Sequence, residues 1–212
     1  MRRVRILLVD DHAVVRAGYR LLLSGDPGIV VAGEAASGEE ACAAFQALRP
    51  EVVILDLSLP GIGGLETLRR LKVYDPGVRV LVFSMHDEPV YVSRALEAGA
   101  RGYMTKSGAP ELLAEAVRKI AAGGRFLDPS LEGRVDFHAG EDRVDALAGL
   151  SSREFDVFRL LASGATVREA AERLHLTPKT VANYATSVKS KLDVRSVAEM
   201  ARLAMRTGVI GE

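Results

Sequence analysis

Five short apolar runs recur along the first 124 residues, each separated from the next by a stretch with helical spacing. The runs are Ile6-Leu7-Leu8-Val9, residues 28–32, Val52-Val53-Ile54-Leu55, residues 78–83 and the segment around Gly102-Tyr103-Met104. Continuous apolar character is what a strand buried on both faces shows. Between the runs, Val14, Val15, Gly18, Leu21 and Leu22 share one face of a first helix, with Arg16 and Arg20 opposite. Ser37 and Glu40 form a capping signature for a second helix carrying Ala41, Ala44, Phe45 and Leu48. Leu65, Leu68 and Leu71 mark a third helix, Pro89 opens a fourth that Gly99 closes, and Leu112, Leu113, Ala116 and Ile120 mark a fifth. Five strand–helix repeats predict an α/β fold over residues 1–124, a doubly wound five-stranded parallel sheet.

The periodicity then fades. Residues 125–148, with Asp128-Pro129-Ser130, Gly133 and Gly140, read as a linker holding one short helical piece around 143–147. From 149 to 212 only helical spacing returns, which predicts a second, all-α domain. Ser151 or Ser152 can cap a helix with Phe155, Phe158, Leu160 and Leu161; Thr166 and Glu169 form a capping box before Ala170, Ala171 and Leu174. Thr177-Pro178 opens a longer helix to Leu192, with Val181, Ala185, Val188 and Leu192 on one face and Lys179, Ala182, Asn183, Thr186 and Ser190 on the other. A last helix spans Val197 to Met205. A short helix, a tight turn and a longer helix with a polar outward face is the outline of a helix-turn-helix; a plain helical bundle with a solvated face has the same periodicity.

Charge sharpens this division. The chain holds 28 basic and 28 acidic residues, but residues 1–124 are balanced at 15 each, 125–150 hold 3 basic and 6 acidic, and 151–212 hold 10 and 7. A neutral first part, an acidic bridge and a mildly basic end are compatible with nucleic-acid binding by the last part. Cys42 is the single cysteine, so no intrachain disulfide forms, and its apolar neighbours suggest a small core residue. His138 lies in the bridge as a solvated residue. The apolar stretch after Met1-Arg2-Arg3 is cut by Asp10-Asp11, too early for a signal peptide, and no run approaches about 18 apolar residues. A soluble, cytoplasmic protein with no membrane contact is expected.

The chemistry gathers where the strands end. The first run stops at Asp10-Asp11, the third at Asp56, the fourth at Ser84, and the fifth enters Thr105-Lys106. In open parallel sheets, ligands bind beyond the carboxyl ends of the strands. Clustered carboxylates repel one another unless a cation neutralises them. A hard ion such as Mg²⁺ suits oxygen ligands and leaves room for a phosphoryl oxygen. An aspartate can then act as nucleophile to give an aspartyl-phosphate, with Lys106 offsetting charge on the transferring group and Ser84 bonding it once attached.

These residues, with Leu57-Ser58-Leu59-Pro60-Gly61 after Asp56 and Tyr103-Met104-Thr105-Lys106-Ser107, resemble the receiver domain of bacterial two-component response regulators over residues 4 to about 122. The resemblance implies that Asp56 is the phosphoacceptor and that Asp11, Asp56 and the Ser58 carbonyl hold Mg²⁺. It further implies that Asp10 assists through water, that Lys106 contacts the phosphoryl group, and that Ser84 and Tyr103 form the switch. Ser58 and His86 lie two residues after Asp56 and Ser84, beside the path of a hydrolytic water, and are expected to set the lifetime of the phosphorylated form.

The second part carries Leu150-Ser151-Ser152-Arg153-Glu154, Glu169-Ala170-Ala171-Glu172-Arg173-Leu174, Thr177-Pro178-Lys179-Thr180-Val181 and Lys191-Leu192-Asp193-Val194-Arg195-Ser196. This wording is similar to the LuxR-type helix-turn-helix of NarL/FixJ-type response regulators. The chain departs from the pattern at Ala182, where lysine or arginine is frequent, at Tyr184, where histidine is, and at Val167, where asparagine or serine is. DNA is then the implied partner, read in the major groove by Lys179, Thr180, Ala182, Asn183 and Thr186, with Lys189, Lys191 and Arg195 meeting phosphates.

The whole reads as a DNA-binding transcription regulator and not an enzyme. A sensor histidine kinase or a small phosphodonor would phosphorylate Asp56, and the phosphorylated form would favour a homodimer on paired half-sites. Two rivals share parts of the pattern. A phosphatase with an aspartyl-phosphate intermediate also needs a strand-end aspartate and Mg²⁺, but normally an acid where Ser58 stands. A protein-interaction module would need neither phosphate nor DNA.

Overall fold

The computed structural model describes residues 3–133, 147, 149–207 and 209–210. The chain divides into two compact units, residues 1–142 and 143–212. In the first, β1 (Val4–Val9), α1 (Ala13–Ser24), β2 (Ile29–Ala35), α2 (Gly38–Leu48), β3 (Val52–Leu55), α3 (Gly63–Tyr74), β4 (Val80–Ser84), α4 (Pro89–Glu97), β5 (Gly102–Thr105), α5 (Leu112–Ala121) and β6 (Phe126–Leu127) alternate along the chain. All strand pairs are parallel, in the order β2-β1-β3-β4-β5-β6. The order reverses between β1 and β3, the kind of place where doubly wound sheets bind ligands. β3, β4 and β5 are buried along their full length, as the unbroken apolar runs require.

Expectations about the sheet, the linker, the first helix and Cys42 are corrected. The sheet has six strands, not five: Phe126 and Leu127 pair with Gly102 and Tyr103. Two residues carry no readable period, so this strand fell inside the expected linker. The segment goes on to a 3-10 turn at Pro129–Leu131, whose Leu131 is fully buried, so residues 125–131 belong to the first unit. The face assigned to α1 also differs. Val14 is 86% exposed and Leu21 76%, while Leu23 is buried. The stripe turned inward is Val15, Tyr19 and Leu23, spaced four apart, with the Tyr19 ring edge-on to Phe83 at 4.7 Å. One tyrosine and one leucine aligned with the core outweigh a more numerous stripe that has nothing to pack against. Cys42 is half-buried rather than core.

The second unit is helical among its described residues: α6 (Ser152–Ala162), α7 (Val167–Leu174), α8 (Pro178–Leu192) and α9 (Val197–Arg206). Ser151 with Glu154 and Thr166 with Glu169 make complete capping boxes, and Thr177 caps α8 through the Thr180 N–H. Phe155, Phe158, Ala170, Val181, Val188 and Met200 are among its buried residues. His175 in the left-handed conformation (φ 54°) makes the turn between α7 and α8. Of the short helix expected around 143–147 only Leu147 is described; the rest of it, and His138, lie outside the described residues. No helix among the described residues is long and apolar enough to cross a membrane.

Candidate functional site

Four strand ends deliver the site. Asp56 N–H bonds Val9 O at 2.9 Å, fixing the end of β3 beside that of β1, and Lys106 N–H bonds Ser84 O at 2.8 Å, fixing β5 beside β4. Gly64 lets α3 begin directly over the end of β3, because a Cβ there would lie 2.1 Å from Asp56 O. The Lys106 Nζ donates to Asp56 Oδ2 at 2.7 Å and to Asp10 Oδ2 at 2.5 Å, and none of the three side chains is more than 7% exposed. Burial works against the ammonium, but Asp56 and Asp10 outweigh it and hold its pKa above the usual lysine value. It is therefore a permanent cation shared by two buried carboxylates.

Asp11 is exposed, with Oδ1 2.7 Å from His12 Nδ1, and Asp10 Oδ1 accepts the His12 N–H at 2.8 Å. Ligand atoms of Asp10, Asp11 and His12 all lie within 4.8 Å of one another. Asp10 and Asp56 share the Lys106 ammonium, Arg16 donates to the Asp10 carbonyl, and Asp11 stands at the exposed rim. The carboxylate oxygens of Asp10, Asp11 and Asp56 are the donor type that a hard divalent cation takes.

Beside Asp56 is a connected polar group. Asp56 Oδ1 accepts the Ser58 N–H at 3.1 Å, and Ser58 Oγ lies 3.3 Å from His86 Nε2. The His86 ring stacks on Tyr91 at 4.0 Å, and its carbonyl accepts the Tyr103 hydroxyl at 2.8 Å. Ser84 Oγ accepts the His86 N–H at 3.4 Å, so His86 links Ser84 to the Tyr103 hydroxyl. Tyr103 and Ser84 are fully buried. Burial drives the Tyr103 phenol far above its ordinary pKa, only partly offset by Ser84, so it stays a neutral donor. Ser58, Ser84, His86 and Tyr103 are thus brought together, as the sequence pattern requires of a shared site.

On α8 the expected outward face is exposed at Lys179, Ala182, Asn183 and Thr186, with Thr180 half-buried at the cap. Thr186 turns its hydroxyl back to Ala182 O at 3.0 Å, leaving its methyl and a lone pair outward. Lys189 is half-buried and Arg195 exposed. Lys191 is exposed and has partners within its own unit. Its Nζ donates to Glu154 Oε2 at 2.7 Å and to Gly149 O at 3.2 Å.

Sequence reasoning missed that partner. Glu154 is buried and accepts from Lys191, from Ser187 Oγ at 2.6 Å and from Ser151 N–H at 2.7 Å. It also missed Asp128, a buried carboxylate bonded to Thr105. Glu154 was readable as a cap but not as an ion-pair partner 37 residues from Lys191, and Asp128 was readable as a turn residue but not as one reaching back to β5.

Comparison with known proteins covers both units. The chain matches the response regulator receiver domain over residues 6–118 and the bacterial regulatory proteins, luxR family, over 148–204. It is 44% identical to the transcriptional activator protein ExaE of Pseudomonas putida over 97% of both chains. It is 35% identical to the response regulator UvrY of Escherichia coli K12 over 97% of this chain and 95% of that one. Among solved structures, a LuxR-family two-component response regulator from Aurantimonas sp. SI85-9A1 aligns with a TM-score of 0.61 at 42% identity, over 62% of this chain and 94% of that one. A structure of two RcsB dimers bound to two parallel DNAs aligns with a TM-score of 0.61 at 27% identity, over 97% and 99%.

Proposed function

The chain belongs to the NarL/FixJ-type response regulators, which join a receiver to a LuxR-type DNA-binding domain, and on that premise we propose that phosphorylation of Asp56 controls its binding to DNA. The observation that carries this reading is the Lys106 ammonium shared between Asp56 and Asp10 in a buried pocket. One Asp56 oxygen attacks the phosphorus of a phosphohistidine on a sensor histidine kinase, or of a small phosphodonor. The new O–P bond forms as the donor's P–N or P–O bond breaks, and the leaving group takes its proton from solvent. Lys106 would offset charge on the transferring group, exchanging part of its contact with Asp56 for the phosphoryl oxygens. Ser84 then bonds the attached group, and Tyr103, joined to Ser84 through His86, follows the change. Asp11, Asp56 and the Ser58 carbonyl would hold Mg²⁺, with Asp10 acting through water, and the bound ion would neutralise the transferring phosphoryl oxygens.

In this reading the receiver runs through residue 131, supported by β6 and the buried Leu131, and the DNA-binding domain is 149–212, inside the second unit of 143–212. Lys179, Thr180, Ala182, Asn183 and Thr186 would enter the major groove, with Lys189, Arg195 and the exposed part of Lys191 near phosphates, Lys191 being held mainly by Glu154. The RcsB dimers on DNA support a homodimer reading paired half-sites. This work belongs in the cytoplasm. With Ser58 where a phosphatase would carry an acid, the chain acts on its own Asp56 and turns over no external phosphomonoester.

The test is labelling with acetyl phosphate and Mg²⁺, read as one added phosphoryl group by intact mass. Wild type should label, Asp56→Asn should not, and Asp11→Ala should label poorly at any practical Mg²⁺ concentration. Equal labelling of Asp56→Asn would refute the assignment.

A further inference from the structure

The Asp128 carboxylate is 3% exposed and accepts four hydrogen bonds. Its Oδ2 accepts the Thr105 N–H at 3.0 Å and the Thr105 hydroxyl at 2.7 Å; its Oδ1 accepts the Ser130 N–H at 3.0 Å and the Ser130 hydroxyl at 2.8 Å. Its backbone N–H bonds Tyr103 O at 2.9 Å, and its carbonyl accepts the Leu131 N–H at 2.9 Å. These bonds outweigh the effect of burial and keep its pKa below the ordinary aspartate value, so it is ionised at neutral pH. The surroundings leave no slack: a Cβ at Gly108 would lie 2.6 Å from Asp128 Oδ2.

The two residues Asp128 grips on β5 have definite neighbours. Tyr103 is the buried hydroxyl bonded to the His86 carbonyl, and Thr105 directly precedes Lys106. On its other side, Asp128 closes the turn at Pro129–Leu131, where the chain leaves the sheet toward the second unit. One carboxylate therefore joins the strand carrying the reactive lysine to the start of the interdomain connection.

We propose that Asp128 is the joint that transmits the state of Asp56 to the DNA-binding domain, by locking the Tyr103–Lys106 segment to the turn at 129–131. A phosphoryl group on Asp56 changes the partners of Lys106, and any resulting shift of β5 at Thr105 is carried by Asp128 to Ser130 and Leu131. Only an acceptor on both oxygens completes this joint. An amide of the same shape would aim an NH₂ group at either the Thr105 or the Ser130 donors, leaving buried donors unpaired. Asp128 touches neither substrate nor metal; it is a positioning residue.

This inference rests on the proposed phosphorylation of Asp56. The test uses full-length chains of wild type, Asp128→Asn and Ser130→Ala, the last cutting only the turn side of the joint. The DNA is a duplex selected by the wild type from a random-sequence pool. Labelling by acetyl phosphate is followed by intact mass, DNA affinity is measured before and after labelling, and thermal unfolding is recorded. Both variants should label at a rate close to wild type. Allosteric coupling typically spans about 5–150-fold, so the gain in affinity on phosphorylation should fall by at least about fivefold in Asp128→Asn, and measurably in Ser130→Ala. A purely structural role would lower the melting temperature and leave the gain intact, and that result overturns the proposal. So does loss of labelling in Ser130→Ala, which would make the joint a prop of the reactive site alone. If Asp128→Asn does not fold, Ser130→Ala decides. A wild type that neither labels nor gains affinity overturns both readings together; a normal wild type with normal variants overturns this one alone.

Discussion

Lys191→Met should destabilise the second unit without changing how its DNA affinity depends on salt. The substitution keeps the aliphatic stem and removes the ammonium that bonds Glu154 at 2.7 Å. The Glu154 side chain is 6% exposed and that of Lys191 43%, so the pair is half in water. A hydrogen bond to a charged group contributes about 1.5–3 kcal/mol when buried and an exposed pair under about 1, so the expected loss is about 1–1.5 kcal/mol. In a unit of this size that lowers the melting temperature by roughly 5–10 °C. The bonds to Glu154 outweigh the opposing effect of burial and hold its pKa below the ordinary value of 4.5. A depressed carboxylate contributes its full stabilisation above that ordinary value and loses it as pH falls through the lower folded one. The gap between wild type and Lys191→Met should therefore close in acid, and a Glu154→Gln background should shrink it at neutral pH. Calorimetry of the full chain measures the first effect, and DNA titrations at several salt concentrations the second. A lysine on a phosphate would behave oppositely: the salt slope would drop by about one unit with stability unchanged. That outcome would refute the intradomain role of Lys191.

Ser58→Ala and His86→Ala should each change the half-life of the phosphorylated form more than its rate of formation, since both groups lie beside Asp56 and neither is needed for attack; equal half-lives in all three chains would count against this. Asn183→Ala should relax preference at one base pair per half-site by about 1–3 kcal/mol and leave the salt slope intact, checked on base-substituted duplexes. A uniform loss over every duplex would make Asn183 a positioning contact. On α1, Leu23→Ala should cost about 2–5 kcal/mol in denaturant unfolding, and Val14→Ala under about 0.5, because only the first faces the core.

The strands were legible because burial on both faces writes itself as an unbroken apolar run, and a change of residue class at each end marked Asp10, Asp56, Ser84 and Lys106. What stayed hidden was anything decided by a distant partner. α1 offers two apolar stripes, and only the position of Phe83 selects the one containing Tyr19. β6 is too short to have a period. Lys191 looked like its neighbours Lys189 and Arg195, and what separates it from them is a buried glutamate on another helix. The exposed face of α8 was readable because it is defined by what it does not pack against.

The two-residue strand at Phe126–Leu127 has a practical consequence for anyone cutting the chain. It covers the outer side of β5, whose residues Gly102 to Thr105 are all buried. A fragment ending at residue 124, where the helical pattern stops, would leave that side as an open, flat, apolar edge, the kind of edge that pairs with other chains. A fragment carried through residue 131 keeps the edge blunted by a strand too short to template another. In static light scattering at matched concentration the shorter fragment should aggregate and the longer one stay monodisperse.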